Sequence, residues 1–381
     1  MIVIVGAGPA GIGAAQSARE CGAEVIVVDD NASPGGQIWR GESRTLPDGV
    51  RFVSCARVVS GDATAKTLLI ETAEGAREIA YTKLILATGS RELFLPFPGW
   101  TLPGIFGVGA LQALAKAGLP LRRKRVLVAG SGPLLLAAAD YFRRKGADVV
   151  LIAEQASRTS LARFALTMLR HPGKLLQAVQ LQSNLFGVPA KHGCWVAAAE
   201  GQDRLERVQL RRGTHTFSEE IDYAAIAWGL VPNTELALLL GCDSIAGTGG
   251  VDVSLFEGRI AGFLAAGRED LARELYPRCE KALQFAAALA RAFALRPEIR
   301  RLAQPETIVC RCEDVTFRRL QDCGSFRAAK LHTRCGMGPC QGRICGPAAR
   351  CLFGWPDAAS VRPPVLPARI ETLATVSTSA H

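Results

Sequence analysis

MIVIVGAGPAGIGAAQSARECGAEVIVVDD, residues 1–30, reads as one βαβ unit. Met1 to Val5 is an apolar, β-branched run that suits a buried parallel strand. Gly6, Gly8 and Gly11 follow at GxGxxG spacing. A helix then runs through Ala14, Ala15 and Ala18 to Gly22, and Val25 to Val28 returns as a second strand that ends on Asp29. Each glycine has a mechanical reason: Gly6 allows the tight turn, Gly8 lets a pyrophosphate approach the backbone, and Gly11 lets helix and strand pack closely. The helix N-terminus offers free N–H groups and a partial positive charge to that pyrophosphate. Asp29 falls where a carboxylate accepts from both ribose hydroxyls, which argues against a 2′-phosphorylated nucleotide. A lone GxGxxG is weak, but here strand, glycines, helix, strand and acid fall in register, and a glycine turn without a ligand is the poorer explanation.

The pattern recurs. RVLVAGSGPLLLAAADYFRRKGADVVLIAE, residues 125–154, repeats strand, glycines, helix and strand, which predicts a second Rossmann-like domain inserted into the first. Gly130 and Gly132 keep the first two glycines, whereas Leu135 stands at the third, where its side chain would hold helix and strand apart. Counting from Gly130 as from Gly6, the ribose-acid position is Ala153, with Glu154 one residue late. Both departures favour a domain whose nicotinamide site has been lost or altered.

A chain of 381 residues has room for two or three domains. With 49% hydrophobic and 21% charged residues its composition is that of an ordinary globular protein. The net charge of +10 is scattered singly or in short groups such as RRKR at 122–125. Without aromatic-interleaved basic motifs this predicts a solvated face or a surface for an acidic partner, and no nucleic acid. No apolar run reaches the ~20 residues of a membrane span. The chain begins on a core strand without the regions of a signal peptide, so a cytoplasmic location is expected.

Between the motifs, 51–59 and 66–72 read as strands of a small meander, and Leu84 to Gly89 as a strand ending in a turn. PFPGWTLP at 96–103 has the composition of a linker. A basic amphipathic helical stretch spans 157–182, strands follow at 195–201 and 204–213, and Ile221 to Glu235 returns the chain to the first domain. Gly249-Gly250 opens a helix over 251–267, an alanine-rich helix covers 269–294, and Pro297 and Pro305 bracket a linker. His171 and His192 are isolated and read as structural.

Of the twelve cysteines, Cys310, Cys312, Cys323, Cys335, Cys340, Cys345 and Cys351 crowd into one segment, which favours a metal site over a disulfide framework. Cys310 and Cys312 lie two apart after an apolar strand, so an extended backbone puts both thiols on one side with Cα atoms ~6–7 Å apart. Two further ligands must come from GMGPCQGRIC at 336–345, where paired glycines let backbone wrap sulfur and donate N–H groups to it. Cys335 to Cys340 and Cys340 to Cys345 enclose equal stretches, so spacing alone leaves the choice open. A zinc ribbon, built from CxxC pairs, fits less well than a four-thiolate 2Fe-2S centre. Cys323 and Cys351 read as packed cysteines.

PGGQ at 34–37, following a dinucleotide fold, resembles the flavoprotein reductases with two dinucleotide-binding domains, in which this loop lines FAD and an ATG turn, here Ala87-Thr88-Gly89, closes the FAD domain. The pattern VCRCE…TRxGMGxCQGxxC resembles the bacterioferritin-associated-ferredoxin-like domain. That domain ends the anaerobic glycerol-3-phosphate dehydrogenase A subunits and the alpha subunits of opine, D-hydroxyproline and proline dehydrogenases and hydrogen cyanide synthase. With PFPGWTLPG, GSGPLLL and GLVPNTEL, the resemblance to these amine- and imino-acid dehydrogenase subunits covers nearly the whole chain. It implies an α/β fold of two Rossmann-like dinucleotide-binding domains plus a small C-terminal iron–sulfur domain. The FAD-binding domain would take 1–118 and 221–300, the second, degenerate NAD-like domain 119–220, the 2Fe-2S domain 301–355, and a C-terminal tail 356–381. FAD would be held by Gly6, Gly8, Gly11, Asp29, Gly36, Gln37, Thr88 and Gly89, with the flanking positions Pro9, Ala10, Asp30, Arg40, Val58 and Ala87. Asp243 is the nearest match to the family's ribitol-binding Asp, after a compressed approach strand, and Gly250 starts the helix that would face the flavin pyrimidine end. The cluster ligands map to Cys310, Cys312, Cys340 and Cys345, with Cys335 an extra thiol.

In that family the alpha subunit carries FAD and often a 2Fe-2S centre. Substrate is oxidised on the flavin of a separate beta subunit, while a small ferredoxin-like gamma subunit completes some complexes. The resemblance therefore implies an electron-transfer subunit, within a hetero-oligomer, of a dehydrogenase acting on a secondary amine or imino acid such as D-hydroxyproline, proline or an opine. It leaves room for an adenine nucleotide on Gly130, Gly132 and Glu154, and for FMN at the contact with the beta subunit. The residues agree on one point: the sequence shows no catalytic acid–base or nucleophile constellation. No CxxxxC follows the first glycine turn and no CxxC lies in the second domain, with Cys55, Cys194, Cys242 and Cys279 standing alone. Two alternatives are a self-contained NAD(P)H-dependent reductase that feeds its own cluster, and a scaffold that has lost FAD.

Overall fold

Ile2–Val5 pairs in parallel with Val25–Val28 on one side and Lys83–Leu86 on the other, and Arg51–Val53 adds a fourth parallel strand beside Val25–Val28. Ile2 and Ile4 pack with Ala14, Ala15 and Ala18 of helix Pro9–Glu20, whereas Val3 and Val5 pack with Leu68 and Ile70 on the opposite face. A strand covered on both faces must be apolar at every position, which is why this one shows no alternation. An antiparallel meander of Arg57–Asp62, Thr67–Thr72 and Gly75–Ala80 precedes the closing strand Lys83–Leu86. Cys55, at φ +50°, breaks the expected strand over 51–59 into an edge of the parallel sheet and the start of the meander.

The computed structural model describes residues 1–242, 249–356 and 361–378. They form two units, Met1–Arg91 with Val231–Ala287 and Ala359–His381, and Glu92–Leu230 with Ala288–Ala358.

In the first unit, helix Gly250–Ala265 lies against helix Pro9–Glu20 at backbone distance. A Cβ on Gly258 would stand 2.0 Å from the Ala10 carbonyl oxygen, and one on Gly262 2.3 Å from that of Ala14. The matched steps, 258 to 10 and 262 to 14, make the two helices run the same way, so both N-termini point to one end. Gly250 lies about 12 Å farther along the axis than Gly258.

The second unit repeats the plan. Arg125–Gly130 is flanked in parallel by Asp148–Glu154 and Tyr223–Ala227, with Ala190–His192 and Ile105–Gly107 at the edges. A second antiparallel meander, Cys194–Glu200, Arg207–Arg212 and His215–Glu220, again precedes the closing strand. This corrects the domain boundaries. Tyr223–Ala227 does not return to the first domain; it closes the second sheet as Lys83–Leu86 closes the first, and Ile105–Gly107 pairs with it, so the chain changes unit at 91–92 and 230–231. Pro172, which has no N–H, divides the helical stretch over 157–182 into Arg158–Met168 and Pro172–Asn184.

The cysteine segment belongs to the second unit. Strands Ile308–Cys310 and Val315–Thr316 pair antiparallel, and helices Phe326–Thr333 and Cys345–Phe353 pack on Val309, Val315, Leu320 and Trp355. The tail is no loose end. Val365 N–H donates to Val59 O at 2.8 Å, and both Arg369 N–H (2.8 Å) and the Thr372 hydroxyl (2.6 Å) donate to Glu71 of the first unit's meander. Among the described residues no helix is long and apolar enough to cross a membrane.

Candidate functional site

The first glycine turn is held backbone on backbone. A Cβ on Gly6 would lie 2.2 Å from the Ala87 oxygen, one on Gly11 1.8 Å from the Gly6 oxygen, and one on Gly36 3.0 Å from the Gly8 Cα. The structure thus brings Gly6, Gly8, Gly11, Gly36 and Ala87 together. Gly8 differs from its neighbours, because a Cβ there would meet nothing within 4 Å. It is the N-cap of helix Pro9–Glu20, with Pro9 as the first helical residue, so the open space beside it faces the positive end of a helix. Ala10 is covered by Gly258. Gly35 N–H donates to Ala7 O at 2.8 Å and seats the PGG loop on the turn, while Gln37 is exposed and Arg40 donates to Asn31 Oδ1 at 2.9 Å.

Asp29 is buried and its carboxylate is fixed. Oδ2 accepts the Ala7 N–H at 2.5 Å, and Oδ1 accepts the Asn31 backbone N–H at 2.8 Å and its side-chain amide at 2.7 Å. Next to it, exposed Asp30 borders an open cavity of about 220 Å³ with Cys55, Arg57, Glu71 and Arg369. Val58 turns its side chain into the core with Val28, Leu68 and Ile70, so only its backbone can meet a ligand.

Thr88 is tied to Asn233. Its hydroxyl donates to Asn233 O at 2.8 Å, the Asn233 side chain donates to Thr88 O at 2.9 Å, and Asn233 N–H donates to Gly89 O at 3.0 Å. Arg91 donates to Asn233 Oδ1 at 2.7 Å and pairs with Glu235 at 2.9 Å. Asn233, missing from the sequence-derived set, is what holds the ATG turn; its signal lay in GLVPNTEL. Gly250 is the first residue of its helix, at φ +84°. Asp243 lies outside the described residues.

In the second unit two expectations change. Leu135 does not wedge helix from strand; it is 1% exposed and packs with Val126, Val128, Ala138 and Phe142. The ribose-acid position is not Ala153. A bulge pairs Val126 with Val149 and Leu127 with Leu151, passing over Val150, so that Glu154 comes opposite Gly130. Glu154 is buried; its carboxylate accepts N–H groups from Gly132 (2.8 Å) and Ala156 (2.7 Å), and burial pushes its pKa up to about 7 against the pull of those amides.

The second turn is also tied to residues 293–296. The Ser131 hydroxyl donates to Phe293 O at 2.8 Å. Gln155, wholly buried, donates to Ser131 Oγ at 2.9 Å and Ala294 O at 3.1 Å, and accepts the Arg296 N–H at 3.1 Å. Phe293 meets Phe164 edge-on at 5.6 Å, and Arg296 lies 5.2 Å over Trp195. A pyrophosphate needs donors, and this turn meets carbonyl acceptors.

The cysteines converge. Cys310, Cys335 and Cys345 are buried with their Sγ atoms all within 4.8 Å of one another. Cys340 is half-buried and hydrogen-bonds to Cys345 and Cys312, and Cys312 is exposed. The Phe326 ring forms the floor: Cβ atoms on Gly336 and Gly342 would come within 2.7 and 3.2 Å of it, so only glycine lets the loop wrap there. Hydrogen bonds from the Cys335 and Cys345 thiols hold the Cys310 thiol far below its ordinary pKa, and the Cys345 thiol with the Ile344 and Gly342 amides pulls Cys340 down to about 5. A nest lined by converging thiols fits an iron–sulfur centre or a thiolate-bound metal ion.

Residues 1–256 match the family described as pyridine nucleotide-disulphide oxidoreductase. The chain is 30% identical to the hydrogen cyanide synthase subunit HcnB of Pseudomonas aeruginosa over 90% of each chain, and 30% identical to the A subunit of opine oxidase from Rhizobium meliloti over 96% of each. Among solved structures, L-proline dehydrogenase from P. horikoshii shares the fold at a TM-score of 0.66 and 16% identity, over 98% of this chain and 78% of that one.

Proposed function

The chain belongs to the pyridine nucleotide-disulphide oxidoreductase family, as a flavoprotein oxidoreductase subunit related to HcnB of hydrogen cyanide synthase and to the A subunit of opine oxidase, and we propose that it relays electrons through FAD and a 2Fe-2S centre. The complex it serves oxidises a secondary amine or imino acid, of the opine, proline or D-hydroxyproline class, on a partner subunit. The partners are a flavoprotein beta subunit, with FMN at the contact, and a small ferredoxin-like gamma subunit.

The observation that carries this reading is the contrast between two glycine turns: in the first Asp29 takes the N–H of Ala7, whereas in the second Glu154 takes that of Gly132 and Ser131 is tied to Phe293. When bound, FAD and the cluster supply two-electron acceptance and one-electron transfer. The chain's own residues bind and orient. Gly8 and the start of helix Pro9–Glu20 receive the pyrophosphate, and Asp29 offers its remaining lone pairs to ribose hydroxyls. Asn233 fixes Thr88 and Gly89, and Cys310, Cys340, Cys345 and Cys312 hold iron.

One observation favours an alternative: Glu154 stands in register for a ribose, as an NAD(P)H-dependent reductase requires. It is outweighed because Glu154 already binds Gly132 N–H and Ser131 is engaged, and an adenine nucleotide would have to displace residues 293–296. Anaerobic mixing separates the two. The purified chain keeps its flavin band with NADH, and the co-purified complex bleaches with its imino-acid substrate; rapid bleaching of the chain alone by NADH overturns the proposal.

A further inference from the structure

The metal nest holds one thiol more than a four-thiolate centre uses, and the fifth is the best buried of all. Cys335 is 0% exposed and its Sγ lies within 4.8 Å of both Cys310 and Cys345. Sulfurs on one tetrahedral metal with bonds of ~2.3 Å stand ~3.8 Å apart, so Cys335 needs a shift of only about 1 Å to coordinate. Cys312, by contrast, is exposed and joins the nest through Cys340.

The surrounding backbone delivers Cys335 to this place. Helix Phe326–Thr333 is stopped by Arg334 in the left-handed conformation, at φ +67°. Arg334 is pinned at 2.8 Å by Glu313, the neighbour of Cys312. The Thr333 hydroxyl, bonded to Ala329 O at 2.6 Å, accepts the Cys335 N–H at 3.3 Å, and Gly336 N–H donates to Cys310 Sγ at 3.5 Å. Cys335 packs in the apolar cluster with Val309, Leu320 and Phe326, and it also faces two sulfurs.

We propose that Cys335 shares with Cys312 a single coordination position of the centre, so that five thiols serve four ligand sites. In the exchange the Cys335 sulfur–metal bond forms as the Cys312 sulfur–metal bond breaks. The proton leaving Cys335 is taken up by the released Cys312 thiolate, and no electrons are transferred. The proposal rests on the cluster reading above, and the test keeps the two apart.

The full chain is purified without air as wild type, Cys312→Ser, Cys335→Ser, the double variant and Cys340→Ser. Iron and labile sulfide per chain are measured, with the electron paramagnetic resonance spectrum after dithionite reduction and flavin content as the check on folding. The expected result is that Cys312→Ser keeps its iron and sulfide with a shifted spectrum, Cys335→Ser keeps the wild-type spectrum, and the double variant loses both iron and sulfide. If Cys312→Ser loses iron as completely as the double variant, or if the double variant keeps it, Cys335 is no ligand and the proposal falls. If wild type carries zinc and no sulfide, or Cys340→Ser retains the full cluster, the cluster reading fails instead. Cys335→Ala, which offers no oxygen ligand, replaces Cys335→Ser should serine itself coordinate, and must give the same pattern.

Discussion

Gly8→Ala separates what the protein needs at the first turn from what its ligand needs. The alanine methyl would meet no protein atom within 4 Å, and the backbone at Gly8, φ −75° and ψ −171°, is one any residue adopts. The loss of a good N-cap, a few tenths to about 1 kcal/mol, is offset by the reduced freedom of the unfolded chain, about 0.4–1 kcal/mol, so the apoprotein should melt as wild type does. A pyrophosphate seated against Gly8 must retreat by about 1.5 Å, the length of the added bond. N–H···O contacts near 2.9 Å then exceed hydrogen-bonding distance. Each charge-assisted bond lost costs about 1.5–3 kcal/mol, or roughly 10- to 150-fold in FAD affinity. Gly11→Ala is the control with the opposite signature: its Cβ would be 1.8 Å from the Gly6 oxygen, against the 3.4 Å at which ordinary contact begins. Helix and strand must part, and that protein should be destabilised by about 3 kcal/mol or fail to fold. Flavin-to-protein ratio, FAD titration of apoprotein by fluorescence quenching, and apoprotein melting distinguish the two. If Gly8→Ala binds FAD as tightly as wild type, the pyrophosphate does not lie on this turn and the cradle has been misread.

Two further outcomes follow from the second unit. Glu154, with an ordinary value of 4.5 raised to about 7, binds its proton more tightly folded than unfolded, so its favourable contribution is complete below about 4.5 and lost as pH climbs through about 7. The full change is at most about 3 kcal/mol; Glu154→Gln, which cannot titrate, should lose its stability deficit relative to wild type as pH rises from 5 to 8, and parallel melting curves would contradict this. Phe326→Ala removes the ring under Gly336 and Gly342, which should cost about 3–5 kcal/mol in that segment and release iron while flavin content is retained. Iron held at the wild-type ratio would show that the ring does not shape the nest.

Much of this was legible in residues 1–40 and 125–154. An uninterrupted apolar strand, glycines at fixed offsets and a terminal acid are local features, and local features survive folding unchanged. The family resemblance, drawn from PGGQ, GLVPNTEL and the cysteine motif, agrees with relatives that align over nine-tenths of the chain. What escaped was non-local. Tyr223–Ala227 announces a strand by composition, but nothing in its residues says which of two similar sheets it closes. The bulge between Val126 and Leu127 alters one step of register and so moves the acid from Ala153 to Glu154. Asn233 reaches back to Thr88, and Gln155 joins Ser131 to Phe293, across separations that no periodicity records. Equal spacing on either side of Cys340 hid the burial of Cys335 and the exposure of Cys312.

The two turns differ by less than their functions do. Each has an acid opposite its first glycine that reaches forward to a backbone N–H. Asp29 reaches the residue after that glycine, Ala7, and stops there, so the next N–H, that of Gly8, lies beyond its grasp. Glu154, one methylene longer, passes over Ser131 and takes the N–H of Gly132, the position equivalent to Gly8. The backbone records the same divergence, since Gly132 sits at φ +103° where Gly8 sits at −75°. In the second unit the donor a pyrophosphate would use is satisfied from within, and Ser131 faces the carbonyl of Phe293. On the proposed function the first turn is thus the ligand turn and the second a structural joint. On that proposal the flavin is reduced by something other than a nicotinamide held on the second turn.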